Sequence, residues 1–266
     1  MDGHRPPVIC STVSVFSLPL HRAFRLMAEA GFEGIEVMVT KDPDTRDAER
    51  IRDLSDDHDL PVLAVHAPFL LVSRGVWGAD PIGKIDRSID LAREVGAGIV
   101  VVHPPYRWQH AYRRWLGERL PSLAADTGVR VAVENMFPIR VRGRRVATVH
   151  AREAVEDLGT YPNVTLDTSH AAVAGLDPVE LARRLGPRLT HVHLSNNAGK
   201  GWDSHLPVDD GVLPLDRLLD TLRSSGYAGA ISLEIDLRAR AEDWEGLRAE
   251  LDRNRRLCEA RLSVSA

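Results

Sequence analysis

The chain has 266 residues, of which 44% are hydrophobic and 27% charged, and a formal net charge of −4; this suits one large α/β domain and disfavours a dedicated nucleic-acid binder, which carries a basic excess. Two cysteines near opposite ends, Cys10 and Cys258, make no disulfide framework, so a reducing, cytoplasmic setting is expected. The opening Met-Asp-Gly-His-Arg-Pro-Pro is not followed by the apolar segment of a secretory leader, and no apolar run reaches the ~20 residues that span a bilayer, so no membrane partner is expected.

Taken in order, β-branched apolar runs alternate with amphipathic ones. Val8–Phe16 reads as a strand, and Leu20–Ala30 as a helix that buries Phe24, Met27 and Ala28 and stops at Gly31. Strands follow at Gly34–Val39 and Val62–Phe69. A helix over Asp80–Val95 places Ile82, Ile85, Ile89, Ala92 and Val95 on one face ahead of Gly96. Gly98–Pro104, Arg130–Met136 and Val164–Ser169 are the next strands, and Asp177-Pro178 opens a helix with a capping carboxylate and a proline at its first position. Leu189–Ser195 and Ala230–Ile235 complete eight strands. Between those two, a helix over Pro214–Ser225 buries Leu215, Leu218, Leu219 and Leu222; a charged helix over Glu242–Arg261 comes last.

Near-continuous Val/Ile/Leu strands fit a parallel sheet covered by helices, and no glycine-rich phosphate loop follows the first strand. Eight strands with intervening helices predict a single (β/α)8 TIM barrel over residues 1–266. Its longest loops follow the third, fifth and seventh strands, with a further long one after the fourth. All lie on the side where barrel active sites are built.

Polar residues end most of the later strands. Val62-Leu-Ala-Val stops at His66 and Ile99-Val-Val-Val at His103. Val131-Ala-Val ends at Glu134 and Val164-Thr-Leu at Asp167, with His170 three residues on. His191 and His193 alternate on one strand face, and Ile231-Ser-Leu ends at Glu234. A carboxylate at such a position is costly unless paired or metal-bound, and three converging on one barrel mouth repel one another. A divalent cation resolves both difficulties. His191, one layer deeper, is expected to be a hydrogen-bonded core histidine; His4, His21, His58, His110 and His150 are expected at the surface. The seventh loop adds the Asp203-Ser-His205 pair. Trp77, Trp108 and Trp202 fall in long loops, placed either to pack on the barrel rim or to stack on a substrate or the partner subunit of a homodimer. Arg140, Arg142, Arg144 and Arg145 make the fifth loop basic, as a solvated charge run or a clamp for an anionic substrate group.

The ordered set His66-Ala-Pro, His103-Pro, Glu134-Asn, Asp167-Thr-Ser-His170, His193-Leu-Ser-Asn, Asp203-Ser-His205-Leu-Pro and Leu233-Glu234 resembles the xylose isomerase-like barrel superfamily. The resemblance runs from about Thr12 to Glu234, and Gly31-Phe-Glu-Gly-Ile-Glu36 is similar to the opening turn of its sugar isomerase branch. Resemblance to that branch implies one divalent metal (manganese, zinc, cobalt or magnesium) held by Glu134, Asp167, His193 and Glu234. It also implies that the two glutamates move protons on a sugar, sugar phosphate or related polyhydroxy carbonyl compound, which His66 and His170 touch. Resemblance to endonuclease IV, in the same superfamily, implies instead a trinuclear zinc phosphodiesterase of abasic DNA. There His66, His103 and Glu134 would hold one ion, Glu134, Asp167, His193 and Glu234 a second, and His170, Asp203 and His205 a third. The chain departs from many epimerase-like relatives in reading Val208-Asp-Asp-Gly211 where they carry Gly-x-Gly. Trp108, Trp202 and Arg140 are further candidates for substrate contact.

Overall fold

All eight expected strands form, and in the computed structural model they close into a parallel barrel. They are β1 (Val8–Ser11), β2 (Ile35–Met38), β3 (Val62–His66), β4 (Ile99–Val102), β5 (Arg130–Glu134), β8 (Val164–Asp167), β9 (Leu189–Leu194) and β10 (Ala230–Leu233), each paired with its sequence neighbour and β10 closing onto β1. Two further strands, β6 (Ile139–Val141) and β7 (Arg144–Ala147), form an antiparallel hairpin in the fifth loop. The helices are α1 (Leu20–Glu29), α2 (Ala48–His58), α3 (Pro81–Val95), α4 (His110–Thr127), α5 (Thr168–Ala174), α6 (Pro178–Leu185), α7 (Leu215–Ser224) and α8 (Trp244–Leu262). The structure describes residues 5–68, 75–141, 144–151, 158–240 and 242–263, with the backbone alone for 139–141 and 144–146. The side chains of Arg140, Arg144 and Arg145, and His4 and Arg142 altogether, lie outside the described residues. Among these residues no helix is long and apolar enough to cross a membrane.

The strands are shorter than their apolar runs because polar side chains cut them off. After Ser11 the chain turns into a 3-10 segment, Thr12–Val15, with the Ser11 hydroxyl accepting from the Val13 amide. After Asp167 it enters α5, with Asp167 Oδ1 accepting from the His170 amide at 2.7 Å. Helix ends follow the expected chemistry: Asp80 and Asp177 cap α3 and α6, each ahead of a proline, and Gly96 closes α3 at φ 78°.

Strand alternation divides the protein into two cores. One parity of the strands, with Val65, Val100, Val131, Val133 and Val192, packs outward against the helices. The other faces the barrel axis, where Ala64, Ile99, Val101 and Ala132 form a separate small apolar cluster. Most other axial positions are polar and buried: Ser11, Glu36, His66, Glu134, Thr165, Asp167, His191, His193, Ser232 and Glu234. An interior this polar is a site as well as a core.

Beyond the strands, the seventh loop is ordered by Asn196. Its backbone pairs both ways with Leu206 at 2.8 Å, its Nδ2 donates to the Val208 carbonyl, and its Oδ1 accepts from the amides of Asn197 and Leu213. Gly211, in the stretch that replaces Gly-x-Gly, lies against this residue. A Cβ there would collide with Asn196 Oδ1 and come within 2.7 Å of the Asn197 carbonyl. Gly211→Ala is therefore expected to destabilise the protein by about 1–3 kcal/mol, as overpacking does, read as a lower urea midpoint with unchanged slope.

Candidate metal centre

Four side chains from four strand ends meet at the C-terminal mouth. His193 Nδ1, on β9, lies 3.0 Å from Glu134 Oε1 on β5, 3.0 Å from Glu234 Oε2 just after β10 and 4.0 Å from Asp167 Oδ2 on β8. All four residues are buried. Glu134 Oε2, Asp167 Oδ2 and Glu234 Oε2 are enclosed and accept no well-aligned hydrogen bond, although His103 Nε2 lies 3.1 Å from the first and His193 Nδ1 3.0 Å from the last. Buried carboxylate oxygens are ordinarily paired, and here Glu134 Oε1, Glu234 Oε2 and, farther off, Asp167 Oδ2 surround one imidazole nitrogen. Oxygen-rich ligation with a single histidine is the donor chemistry of a divalent cation, so the residues present fit one.

The strand ends are clamped to one another. The Asn135 side chain extends the β5–β8 ladder by one rung, accepting from the Asp167 amide at 2.7 Å and donating to its carbonyl at 2.9 Å. Thr168 does the same between β8 and β9, its hydroxyl donating to the Ser195 carbonyl at 2.6 Å and accepting from the Ser195 amide at 3.0 Å. Glu134, Asp167 and His193 thus stand on strand ends clamped to one another.

The electrostatics reflect crowding of like charges. Burial, with Glu134 and Asp203 nearby, pushes the Asp167 carboxyl up to about 7, against the pull of His170 and His205. Burial also opposes ionisation of Glu134, but His193, His103 and His170 together hold it well below the usual carboxylate range. His193 goes the other way: burial disfavours its charge, and Glu36, Glu234 and Glu134 overcome that and raise it well above the usual imidazole value.

Two groups of side chains flank this centre. On one side, His66 Nε2 and His103 Nε2 lie 3.6 Å and 3.1 Å from Glu134 Oε2. On the other, Asp203 is enclosed by His205 Nε2 at 2.8 Å, His170 Nε2 at 3.2 Å and the Ser169 hydroxyl at 2.6 Å. The second nitrogen of each histidine donates to a carbonyl, Asn135 for His170 and Glu234 for His205, each at 2.9 Å. Both are therefore imidazoliums. Burial opposes this, but Asp167 and Asp203 raise His170 well above the ordinary range, and Asp203 helps bring His205 to about 9. Protons neutralise this second cluster.

A cavity of 290 Å³ opens beside Glu234. Glu234, Asp203 and His205 form its polar wall, Val13, Phe16, Met38 and Ile235 its apolar one, and Arg238 stands at the rim, paired with Asp236. Trp108 and Trp202 do not line it. Both are exposed, Trp108 stacked on Tyr106 at 5.0 Å and Trp202 under the Lys200 ammonium at 5.8 Å. Trp77 is partly buried and packs on the core.

Every strand-end residue singled out from the sequence is thus drawn to one mouth. His191 is buried and hydrogen-bonded, as expected. His150 corrects the expectation of a surface residue. It is buried beneath Tyr106, ring centroids 4.6 Å apart, and donates from Nδ1 to the Pro104 carbonyl. Burial, with His103 nearby, pushes it down to about 4 from an ordinary 6.5. A depressed histidine favours folding while neutral, so its contribution is full above pH 6.5 and is lost as pH falls toward 4. Between those values the wild type is expected to lose up to about 3 kcal/mol that His150→Phe does not lose, measured as the difference in pH slope of urea stability.

Residues that sequence reasoning passed over are Glu36, in the interior of β2, and Ser11 beside it at 3.2 Å. The signal was a glutamate inside the apolar run Gly34-Ile-Glu-Val.

Comparison with known proteins places the chain in a family. The uncharacterized protein Rv0498 of Mycobacterium tuberculosis is 39% identical over 85% of this chain and 87% of its own length. The fructoselysine 3-epimerase of Shigella flexneri is 23% identical over 82% of this chain and 86% of its own. The crystal structure of a D-tagatose 3-epimerase-like protein superposes with a TM-score of 0.68 at 22% identity, covering 97% of this chain and all of that one. The sequence model of one family matches residues 24–256, and the chain belongs to that family, the xylose isomerase-like TIM barrels.

Proposed function

We propose that the protein is a metal-dependent isomerase or epimerase of a small polyhydroxylated carbonyl compound: a sugar, a sugar phosphate or a close relative. The observation that carries this reading is the convergence of three buried carboxylates on His193 Nδ1, with Asp167 Oδ2 and Glu234 Oε2 accepting no well-aligned hydrogen bond. Glu134, Asp167, His193 and Glu234 would hold the cation. Bound there, a divalent ion supplies positive charge that stabilises the enediolate formed when a proton leaves the carbon next to a carbonyl.

The chain's own groups handle the proton. Glu134 ends β5 and Glu234 directly follows β10, three places apart around the eight-stranded ring, so they approach a molecule at the mouth from different sides. Glu134, held ionised by its histidines, removes the proton from one face. Glu234, as the acid, returns one to the other face for epimerisation, and the roles exchange in reverse. His66 and the imidazolium of His170 lie beside this space, placed to hold substrate hydroxyl or carbonyl oxygens. The apolar wall of the cavity limits water around the exchanging proton. Names of relatives that act on sugars, such as the fructoselysine 3-epimerase, support the same substrate class.

The test is incubation of the metal-loaded protein with a panel of ketoses, aldoses and their phosphates in deuterated water. Deuterium at the carbon next to the carbonyl is the expected result, and a panel without exchange sinks the reading.

One observation favours a second reading, a zinc phosphodiesterase of the endonuclease IV type: His66 and His103 face Glu134, and Asp203 joins His170 to His205, so nine candidate ligands adjoin. Against it, the Asp203 cluster is already satisfied by its own protons and leaves no unpartnered oxygen. Three zinc ions per chain and nicking of abasic duplex DNA would establish it over the first.

A further inference from the structure

Glu36 is an acidic side chain with no exposed surface, at a level of the barrel below the candidate ligands. A carboxylate so placed persists only if donors replace its water. Three do. The Ser11 hydroxyl donates to Oε1 at 3.2 Å and His191 Nε2–H to Oε2 at 2.6 Å. His193 Nε2–H reaches both oxygens, at 3.0 Å and 3.2 Å. The far nitrogen of His193 is Nδ1, the one facing Glu134 and Glu234.

Packing alone does not orient that ring. His66 stacks on its face, centroids 5.5 Å apart and planes 16° from parallel, and His191 meets it nearly at a right angle, 5.2 Å away. These contacts fix the plane of the imidazole, yet a half-turn about the Cβ–Cγ bond would leave them almost unchanged while turning carbon atoms toward Glu36 and the carboxylates. Glu36 distinguishes the two orientations, because only one brings an N–H to it. It also places the proton: with hydrogen on Nε2, the Nδ1 lone pair faces the mouth.

We propose that Glu36 is a positioning residue for the metal centre: held by Ser11 and His191, it fixes the orientation and tautomer of His193 so that Nδ1 is the ligating atom, and strengthens that nitrogen as a donor. This inference rests on the metal-dependent reading of the site. It assigns a role to a residue that touches neither cation nor substrate, of the kind in which a carboxylate behind a ligating histidine contributes 10–100-fold to metal affinity.

The test uses the full chain stripped of metal and titrated with cobalt(II), whose visible absorption bands report ligand type and geometry. Glu36→Gln, which keeps the shape but cannot serve as an acceptor on both sides, is expected to bind cobalt about 10–100-fold more weakly with altered bands. Ser232→Ala, at another buried position of the barrel interior, is expected to leave both unchanged. Glu36→Gln with wild-type affinity and spectrum overturns the inference while leaving the metal reading intact; a wild type that binds no cobalt removes both. Should Glu36→Gln not fold, nitrogen-15 NMR of the zinc-loaded wild type decides, with the resonances assigned by their loss in His193→Asn. A His193 ring protonated at Nε2, with that proton far downfield and slow to exchange, is expected; zinc bound through Nε2 overturns it.

Discussion

Glu134→Gln and Glu234→Gln are each expected to lower turnover by at least about 10³-fold, because each removes a proton carrier and a candidate cation ligand together. The substitutions are nearly isosteric, so the barrel should survive them. Glu134 is the more sensitive of the two, since its oxygens face His193, His103, His66 and His170 at once, and an amide cannot accept from all of them. Deuterium exchange separates binding from chemistry: each variant should lose exchange to a similar degree as net turnover. Because the two glutamates work as a unit, the double variant should be scarcely worse than either single one. Multiplicative losses would mean that the two carboxylates act in independent steps.

The second large effect concerns stability. Without a cation, Asp167 is a buried acid whose folded pKa of about 7 lies above its ordinary 3.8, chiefly through desolvation. The sign follows from linkage: the protonated form is favoured in the folded state, so stability is lost as pH rises from 3.8 through 7. A divalent ion reverses this by binding the ionised site. At a thousandfold excess over its dissociation constant it contributes about 4 kcal/mol, roughly 10 °C in melting temperature for a chain of this size. Asp167→Asn removes the burden and the response together. The stripped variant should be at least as stable as the stripped wild type at pH 8, while gaining little on addition of manganese or cobalt. The comparison is made by thermal unfolding in chelator and in excess metal. A variant that still gains the full shift would remove Asp167 from the site.

Much of this centre was legible in the chain because strand alternation is a strict code. Once Val62–His66, Arg130–Glu134 and Val164–Asp167 are read as parallel strands, their terminal polar residues must share the barrel mouth, and the structure places them there. The same logic located His193 one residue pair above His191. What escaped depends on contacts between segments. Glu36 sits mid-strand, paired in register with Ser11 and Ala64, and its two histidine partners come from β9, across the barrel. His150 has no local mark of burial; the Pro104–Trp108 turn covers it. The pairing of Ile139–Val141 with Arg144–Ala147 is hidden in the sequence by the arginines, which read as a basic loop. Asp203 and His205 were visible as a pair, but only their geometry shows that His170 completes a cluster already neutralised by protons.

Elemental analysis and calorimetric titration of the purified chain test most directly whether Glu134, Asp167, His193 and Glu234 form a site for one divalent cation. One tightly bound ion per chain is expected, lost on dialysis against chelator, restored by manganese, cobalt or zinc, and absent from Asp167→Asn. Absence of binding by the wild type, or binding undisturbed by Asp167→Asn, would contradict it.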